Sequence, residues 1–218
     1  MVLLRDVIER HAVANPTPLR WMVRRLLGSP AGLFSVTKFA RELKALGIAA
    51  GREMLYEFLD RLEDAFLLHA VPVATDSERR RQVNPRKGYP ADPALIPVFD
   101  RSGKANRGHA LETTVFVELL RRGAEVAYVK TPGGFEVDFL ARHRDGSEDL
   151  IQVCLDPGDP PTLARETRSL AEAAVAHPRA RQWLLTMESR LPFPPVPPSV
   201  SILPAWQWIL PPAPAASR

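Results

Sequence analysis

Apolar and polar positions along the chain fall into two regimes. In the first half the spacing is helical. Leu55, Phe58, Leu59 and Leu62 recur at i, i+3, i+4 and i+7, which predicts a helix from about Arg52 to Asp64. Similar spacing predicts a short leading helix over about 3–13. Two more helices are expected, one from about Leu19 to Leu27 with Pro18 near its first turn, and one from about Val36 to Leu46 that stops at Gly47. Two extended pieces follow, Phe66–Val71 and Arg81–Val83. In the second half, helical and alternating segments interleave. A helix over about 104–122 ends at Gly123, and strands are expected over about 125–130, 134–141 and 149–155. A helix over about 162–176 comes next, then strands over about 182–187 and 199–203 and a short Trp-containing end, Trp206-Gln207-Trp208-Ile209-Leu210.

Proline-rich punctuation divides the chain. Asn15-Pro16-Thr17-Pro18 follows the leading helix. Tyr89-Pro90-Ala91-Asp92-Pro93 and Asp100-Arg101-Ser102-Gly103 bracket a linker, Leu191 to Pro198 reads as a loop, and Pro211 to Arg218 as a frayed tail. The expected organisation is a leading helix and linker (1–16), a first domain with its linker (17–100), a second domain (101–210) and a disordered tail (211–218). Helix, helix, turn, helix and a two-stranded wing is the order of a winged helix-turn-helix. The alternation after residue 100 reads as a compact α/β domain, making the class α/β, or α+β overall.

Composition narrows the picture modestly. The chain has 218 residues, enough for one large domain or two small ones. No apolar run is long enough to cross a bilayer, and Met1-Val2-Leu3-Leu4-Arg5-Asp6 does not read as a signal peptide. One cysteine rules out an internal disulfide and a Cys-rich zinc site, and it fits a reducing cytoplasm. The formal net charge is +4. Residues 1–100 carry 15 Lys/Arg against 12 Asp/Glu, and the remainder 14 against 13, so neither half is a basic domain.

The candidate chemistry lies in the second domain. Glu112 shares a helix face with Val115, Phe116 and Leu119, and an ionised Glu there needs a cation, a metal or hydrogen bonds. On the next elements, alternation sets Glu136, Asp138 and Leu140 opposite Phe135, Val137 and Phe139. It also sets Gln152 and Cys154 opposite Ile151, Val153 and Leu155. Adjacent strands would then bring Asp138 beside Gln152 and Cys154. Glu112, Glu136-Val137-Asp138-Phe139 and Gln152-Val153-Cys154 together resemble the core of the PD-(D/E)XK, or restriction-endonuclease-like, fold. The resemblance implies a divalent magnesium or manganese ion held by Glu112, Asp138 and Gln152, hard oxygen ligands suited to such an ion. The family's lysine is replaced by Cys154, which cannot carry positive charge. Losing such a charge costs on the order of a hundredfold in rate. Lys130 and Lys104 are the alternative lysines, and Glu166 and Arg165 are positioned to join the polar cluster. A buried hydrogen-bond network of Glu, Asp and Arg is the competing reading. Cys154 with His109, His143 or His177 is a weaker nucleophile candidate. His69, Trp206 and Trp208 read as packing residues.

In the first domain, the helix at 52–64 sits where a recognition helix would enter DNA. It carries Arg52 and Arg61 against Glu53, Glu57, Asp60, Glu63 and Asp64, a face that phosphates repel. The nucleic-acid-binding candidates are therefore Arg79, Arg80, Arg81, Arg86 and Lys87 around the wing. Further cations, Arg24, Arg25, Lys38, Arg41 and Lys44, lie on the two earlier helices.

Nearly the whole chain resembles the C-terminal region of a predicted bacterial and archaeal AAA-type ATPase family. There a winged helix is followed by a domain of unknown function related to PD-(D/E)XK nucleases. The markers are Leu4-Arg5-Asp6-Val7-Ile8-Glu9-Arg10, Phe39-Ala40-Arg41-Glu42-Leu43-Lys44, Leu111-Glu112-Thr113-Thr114-Val115-Phe116, Glu136-Val137-Asp138-Phe139 and Leu150-Ile151-Gln152-Val153-Cys154. The resemblance implies an ATPase module outside this chain, either cut away or naturally separate. Gly133-Gly134 lacks the lysine and hydroxyl of a phosphate loop, so no ATP site is expected here. The expected function is an accessory module that binds nucleic acid or a protein partner without catalysis and without a required cofactor. The alternatives are a metal-dependent nuclease with a relocated lysine and a pure protein-interaction module.

Overall fold

The computed structural model describes residues 2–100, 106–188 and 195–210. The chain forms two compact units, Met1–Val117 and Glu118–Arg218. Both mix helices with a β-sheet, giving an α+β protein. No helix among the described residues is long and apolar enough to cross a membrane.

The first unit begins with α1 (Val2–Arg10), α2 (Thr17–Leu27), β1 (Leu33–Phe34), α3 (Val36–Ala45) and α4 (Arg52–Asp64). It continues with β2 (Leu68–Val71), α5 (Glu78–Val83), β3 (Arg86–Pro90) and, after a 3-10 turn, α6 (Ile96–Phe99). Proline in the first turn starts α2, where its missing N–H has no helical partner to lose. The Ser35 hydroxyl caps α3 by accepting from the Lys38 N–H. The expected stripe of α4 is realised, with Leu55, Phe58, Leu59 and Leu62 all buried. They join Leu19, Met22, Leu26, Phe39 and Leu43 in one apolar core.

Two expectations in this unit are corrected. Arg81–Val83 is not a strand but the end of α5, whose first turn is capped by the Ser77 hydroxyl on the Arg80 N–H. The strand lies instead at Arg86–Pro90, in a segment whose end reads as linker because of its prolines. It is central in a three-stranded antiparallel sheet of order β1-β3-β2. Gly88 lets α2 pack close on the strand: Leu26 Cδ2 lies 2.8 Å from where a Cβ would stand, so a larger residue would push that side chain aside.

Helix α7 (Arg107–Arg121) contains the division between the units. The second unit continues with β4 (Glu125–Lys130), β5 (Glu136–Arg142), β6 (Glu148–Cys154), α8 (Pro160–Ala176), β7 (Arg181–Thr186), β8 (Val200–Pro204) and α9 (Ala205–Ile209). Its five strands run in the order β4-β5-β6-β7-β8. The first three pair antiparallel through short turns, Gly134 supplying a left-handed φ of 84° between β4 and β5. A register shift between Ala127 and Val129 interrupts the β4–β5 ladder. The α8 crossover makes β6 and β7 parallel, and β8 adds parallel to β7. Asp159 caps α8 by accepting from the Thr162 N–H at 3.1 Å. Because α8 packs on β5, β6 and β7, polar residues of these strands are drawn inside as well as apolar ones.

The expected linker residues Arg101, Ser102 and Gly103, the lysine Lys104, residues 191–194 of the proline-rich loop and the tail 211–218 lie outside the described residues.

Candidate functional site

Asp138 and Gln152 meet where the β5–β6 ladder runs out. The paired register ends at Phe139 and Ile151, and Asp138 and Gln152 are the next residues on each strand. Beyond that point their side chains bond the backbone. Gln152 Oε1 accepts the Asp138 N–H at 3.2 Å, and Asp138 Oδ2 accepts the Val153 N–H at 3.0 Å. The Gln152 amide donates from Nε2 to Glu166 Oε2 at 2.7 Å, which fixes which end of the amide is oxygen. Arg165 then donates to Glu166 Oε1 at 2.5 Å. Both expected recruits from α8, Glu166 and Arg165, are therefore in the cluster.

These bonds have a clear physical reason. Asp138, Gln152 and Glu166 are all buried, and a buried polar group without a partner costs about 1–3 kcal/mol. Gln152 Oε1 and Nε2, Asp138 Oδ2 and both Glu166 oxygens are thus already engaged within the fold. Cys154 completes the cluster and is buried. Burial, reinforced by the Glu166 carboxylate, pushes its thiol up to about 11. It is a neutral thiol at physiological pH, not a thiolate nucleophile. Neither His143 nor His177 serves it: His143 Nε2 is 2.7 Å from Asp149 Oδ2, and His177 Nδ1 is 3.7 Å from Glu148. Among the described residues, no group of three or more His, Cys, Asp and Glu side chains is arranged to hold a metal ion. As it is held, the donor set around Asp138 and Gln152 does not fit a magnesium or manganese centre, since its oxygens accept from backbone N–H groups and, on Glu166, from the Gln152 amide and Arg165.

Glu112 is held within the first unit. Its Oε1 accepts from Lys87 Nζ at 3.1 Å and from the Tyr89 hydroxyl at 2.7 Å. Lys87 is 3% exposed and Glu112 9%, so this is a buried ion pair. The Tyr89 ring stacks on Phe116, centroids 4.6 Å apart, and His69 meets the edge of the same phenylalanine. Burial holds the His69 imidazole below its ordinary range. The pairing of Lys87 and Tyr89 with Glu112 was missed in the sequence, because β3 lies more than 20 residues upstream in a stretch punctuated as linker.

The basic candidates separate. Arg79 and Arg80 are exposed on α5, and Arg81 is half-buried. Arg86 stands 3.9 Å from Glu63, whose carboxyl is raised chiefly by burial and opposed by the Ala70 N–H and Arg86. Lys87, buried on Glu112, presents no charge at the surface. Lys130 is exposed at the end of β4. The exposed face of α4 keeps its expected acidic residues Glu53, Glu57, Asp60 and Asp64.

Two further buried networks brace the second unit. Asp149 accepts from Arg181 at 2.6 and 3.0 Å and from the Trp183 indole at 3.0 Å. Glu118 accepts from Arg121 and Arg122, and Arg122 also lies 3.9 Å from the Trp208 ring centroid. The Arg121 bond, more than that to Arg122, holds the Glu118 carboxyl below its ordinary range.

No family model matches the chain, and no solved structure matches it. It is 32% identical over 159 residues to an uncharacterized protein of Methanocaldococcus jannaschii, covering 71% of this chain and 34% of that relative. An uncharacterized protein of Haemophilus influenzae is 29% identical over 153 residues, covering 66% of this chain and 36% of the relative. The chain thus spans about a third of the length of the curated relatives it matches.

Proposed function

We propose that this chain is a binding module without catalysis, the accessory part of an AAA-type ATPase, built from a winged helix and a degenerate restriction-endonuclease-like domain. The order α2-β1-α3-α4-β2-α5-β3 with sheet order β1-β3-β2 supports the winged-helix reading. The run α7-β4-β5-β6-α8-β7, antiparallel at first and then parallel, supports the nuclease-like one. The observation that carries the non-catalytic reading is the Gln152 side chain. Its oxygen is committed to the Asp138 N–H and its amide to Glu166, while a buried neutral Cys154 stands where the family has lysine.

What the module binds is favoured to be a nucleic-acid backbone at α5. Arg79 and Arg80 are exposed there, whereas α4 is too acidic to enter a groove. The test has two arms. Single- and double-stranded DNA and RNA are incubated with the chain in magnesium or manganese, and no cleavage above buffer is expected. Cleavage that disappears in Asp138→Asn and in Glu112→Gln would overturn the reading in favour of a nuclease. Anisotropy of a labelled duplex should show salt-dependent binding that weakens severalfold in Arg79→Ala/Arg80→Ala. Binding unchanged in that variant removes α5 as the contact.

A further inference from the structure

Helices α2 and α3 carry six cations, Arg20, Arg24, Arg25, Lys38, Arg41 and Lys44, against the single carboxylate Glu42. All six are exposed, and among the described residues none of them enters an ion pair. The contrast within the same unit is sharp. Arg5, Arg10 and Arg61 each pair with a carboxylate one helical turn away.

Two of these cations, Arg24 and Arg25, line an open groove of about 640 Å³ between α2, α3 and α6, together with Phe39, Leu43, Phe99 and the carboxylate Glu42. Three large apolar side chains at the same groove remain in water: Trp21 is 42% exposed, Leu46 57% and Val98 69%. An apolar trough flanked by a net excess of positive charge, six cations on α2 and α3 against Glu42, matches one chemistry well. A helix inserting apolar anchors at i, i+4 and i+7, with carboxylates on its flanks, would cover the apolar side chains and answer the cations together.

We infer that this groove docks an amphipathic helical segment of a partner protein rich in Asp and Glu. Nucleic acid is the poorer fit, because phosphates gain nothing from Trp21, Leu46 and Val98. A second copy of the chain is also poorer. Its acidic helix α4 has already buried its apolar stripe, Leu55, Phe58, Leu59 and Leu62, and has no anchors to offer. The inference is independent of whether the second unit cleaves anything.

The test uses the full chain and a panel of fluorescein-labelled peptides of about 16 residues, with Leu, Phe or Trp at i, i+4 and i+7 and Glu or Asp elsewhere. One twin panel replaces the acids by Lys, and another replaces the anchors by Ser. Anisotropy should show acidic peptides binding in the micromolar range, with both twin panels about tenfold weaker or worse. Arg24→Glu/Arg25→Glu and Leu46→Ser, all at exposed positions, should each weaken binding about tenfold while circular dichroism stays unchanged. Binding should also weaken severalfold between about 50 and 300 mM salt. The inference fails if no acidic peptide binds below about 1 mM, or if the Lys panel binds equally well. Duplex DNA binding abolished by Arg24→Glu/Arg25→Glu, without peptide binding, would assign the surface to nucleic acid and overturn it. A dimer in analytical ultracentrifugation abolished by Leu46→Ser, again without peptide binding, would assign it to a second copy and overturn it equally.

Discussion

Replacing Lys87 by Met gives the sharpest test of how the first unit is held together. The Lys87 ammonium is 3.1 Å from Glu112 Oε1, with both side chains almost wholly out of water. At that separation the attraction is about 5 kcal/mol for an effective dielectric constant of about 20. Desolvation of the two ions offsets much of this, so the intact pair contributes little net stability. Removing one partner is different, because the carboxylate stays buried while the Lys87 charge is gone. Lys87→Met is therefore expected to cost about 3–5 kcal/mol. At a urea slope of about 2 kcal/mol/M this moves the unfolding midpoint down by roughly 1.5–2.5 M. Tyr89→Phe removes a hydroxyl bond to the same oxygen and should cost about 2 kcal/mol. The double variant Lys87→Met/Glu112→Met, which removes both charges, should recover most of the lost stability. The assay is urea unfolding followed by far-ultraviolet circular dichroism on the wild type, these three variants and the single variant Glu112→Met. A Lys87→Met cost below about 1 kcal/mol, or a double variant no more stable than the sum of its singles, would show that the pair is not a coupled buried ion pair.

Other outcomes follow from the same reasoning. Asp149→Ala withdraws the acceptor of Arg181 and the Trp183 indole and should destabilise by about 3 kcal/mol, while Arg181→Gln, at a more exposed side chain, should cost less. Cys154 should react with iodoacetamide about a hundredfold more slowly at pH 8 in the native protein than in urea, with a native rate midpoint near pH 11; equal rates would contradict its burial. The fold favours the neutral thiol, so this group's contribution to stability is full below its ordinary value near 9 and is lost as pH rises through about 11. His69 has the opposite sense. Its lowered folded value means the unfolded chain takes a proton that the native state refuses, so stability should fall as pH drops below about 6.5. That slope should flatten in His69→Gln.

What the sequence showed and hid has a consistent physical basis. The stripe of α4 was legible because four buried side chains repeat on one face, and β4 because its bounds coincide with an apolar run ended by charges. Alternation on β5 and β6 placed Asp138 beside Gln152 correctly, since a period of two leaves no freedom once the strands pair. It did not reveal that the side chains would replace the ladder itself, which depends on where the strands diverge. Leu155, expected in the apolar row of β6, lies past its end and is exposed. The short helix α5 was hidden because Glu78–Val83 has almost no apolar residues to repeat. Its capping serine was the usable signal. Strand β3 was hidden by Pro90 and Pro93, although its burial comes from Lys87 and Tyr89, whose partner Glu112 is distant in sequence.

The register shift in β4 has one more implication. A sheet edge with a regular row of free amides invites another chain to extend it, and aggregation or strand-swapping often begins there. Here β4 forms one edge of the second unit's sheet, and its ladder to β5 is broken between Ala127 and Val129, with the exposed Glu125 and Lys130 at the two ends. An incoming strand would meet an irregular spacing of backbone groups and a charge at each end of its path. The irregular ladder and the two charges thus work against strand addition at this edge.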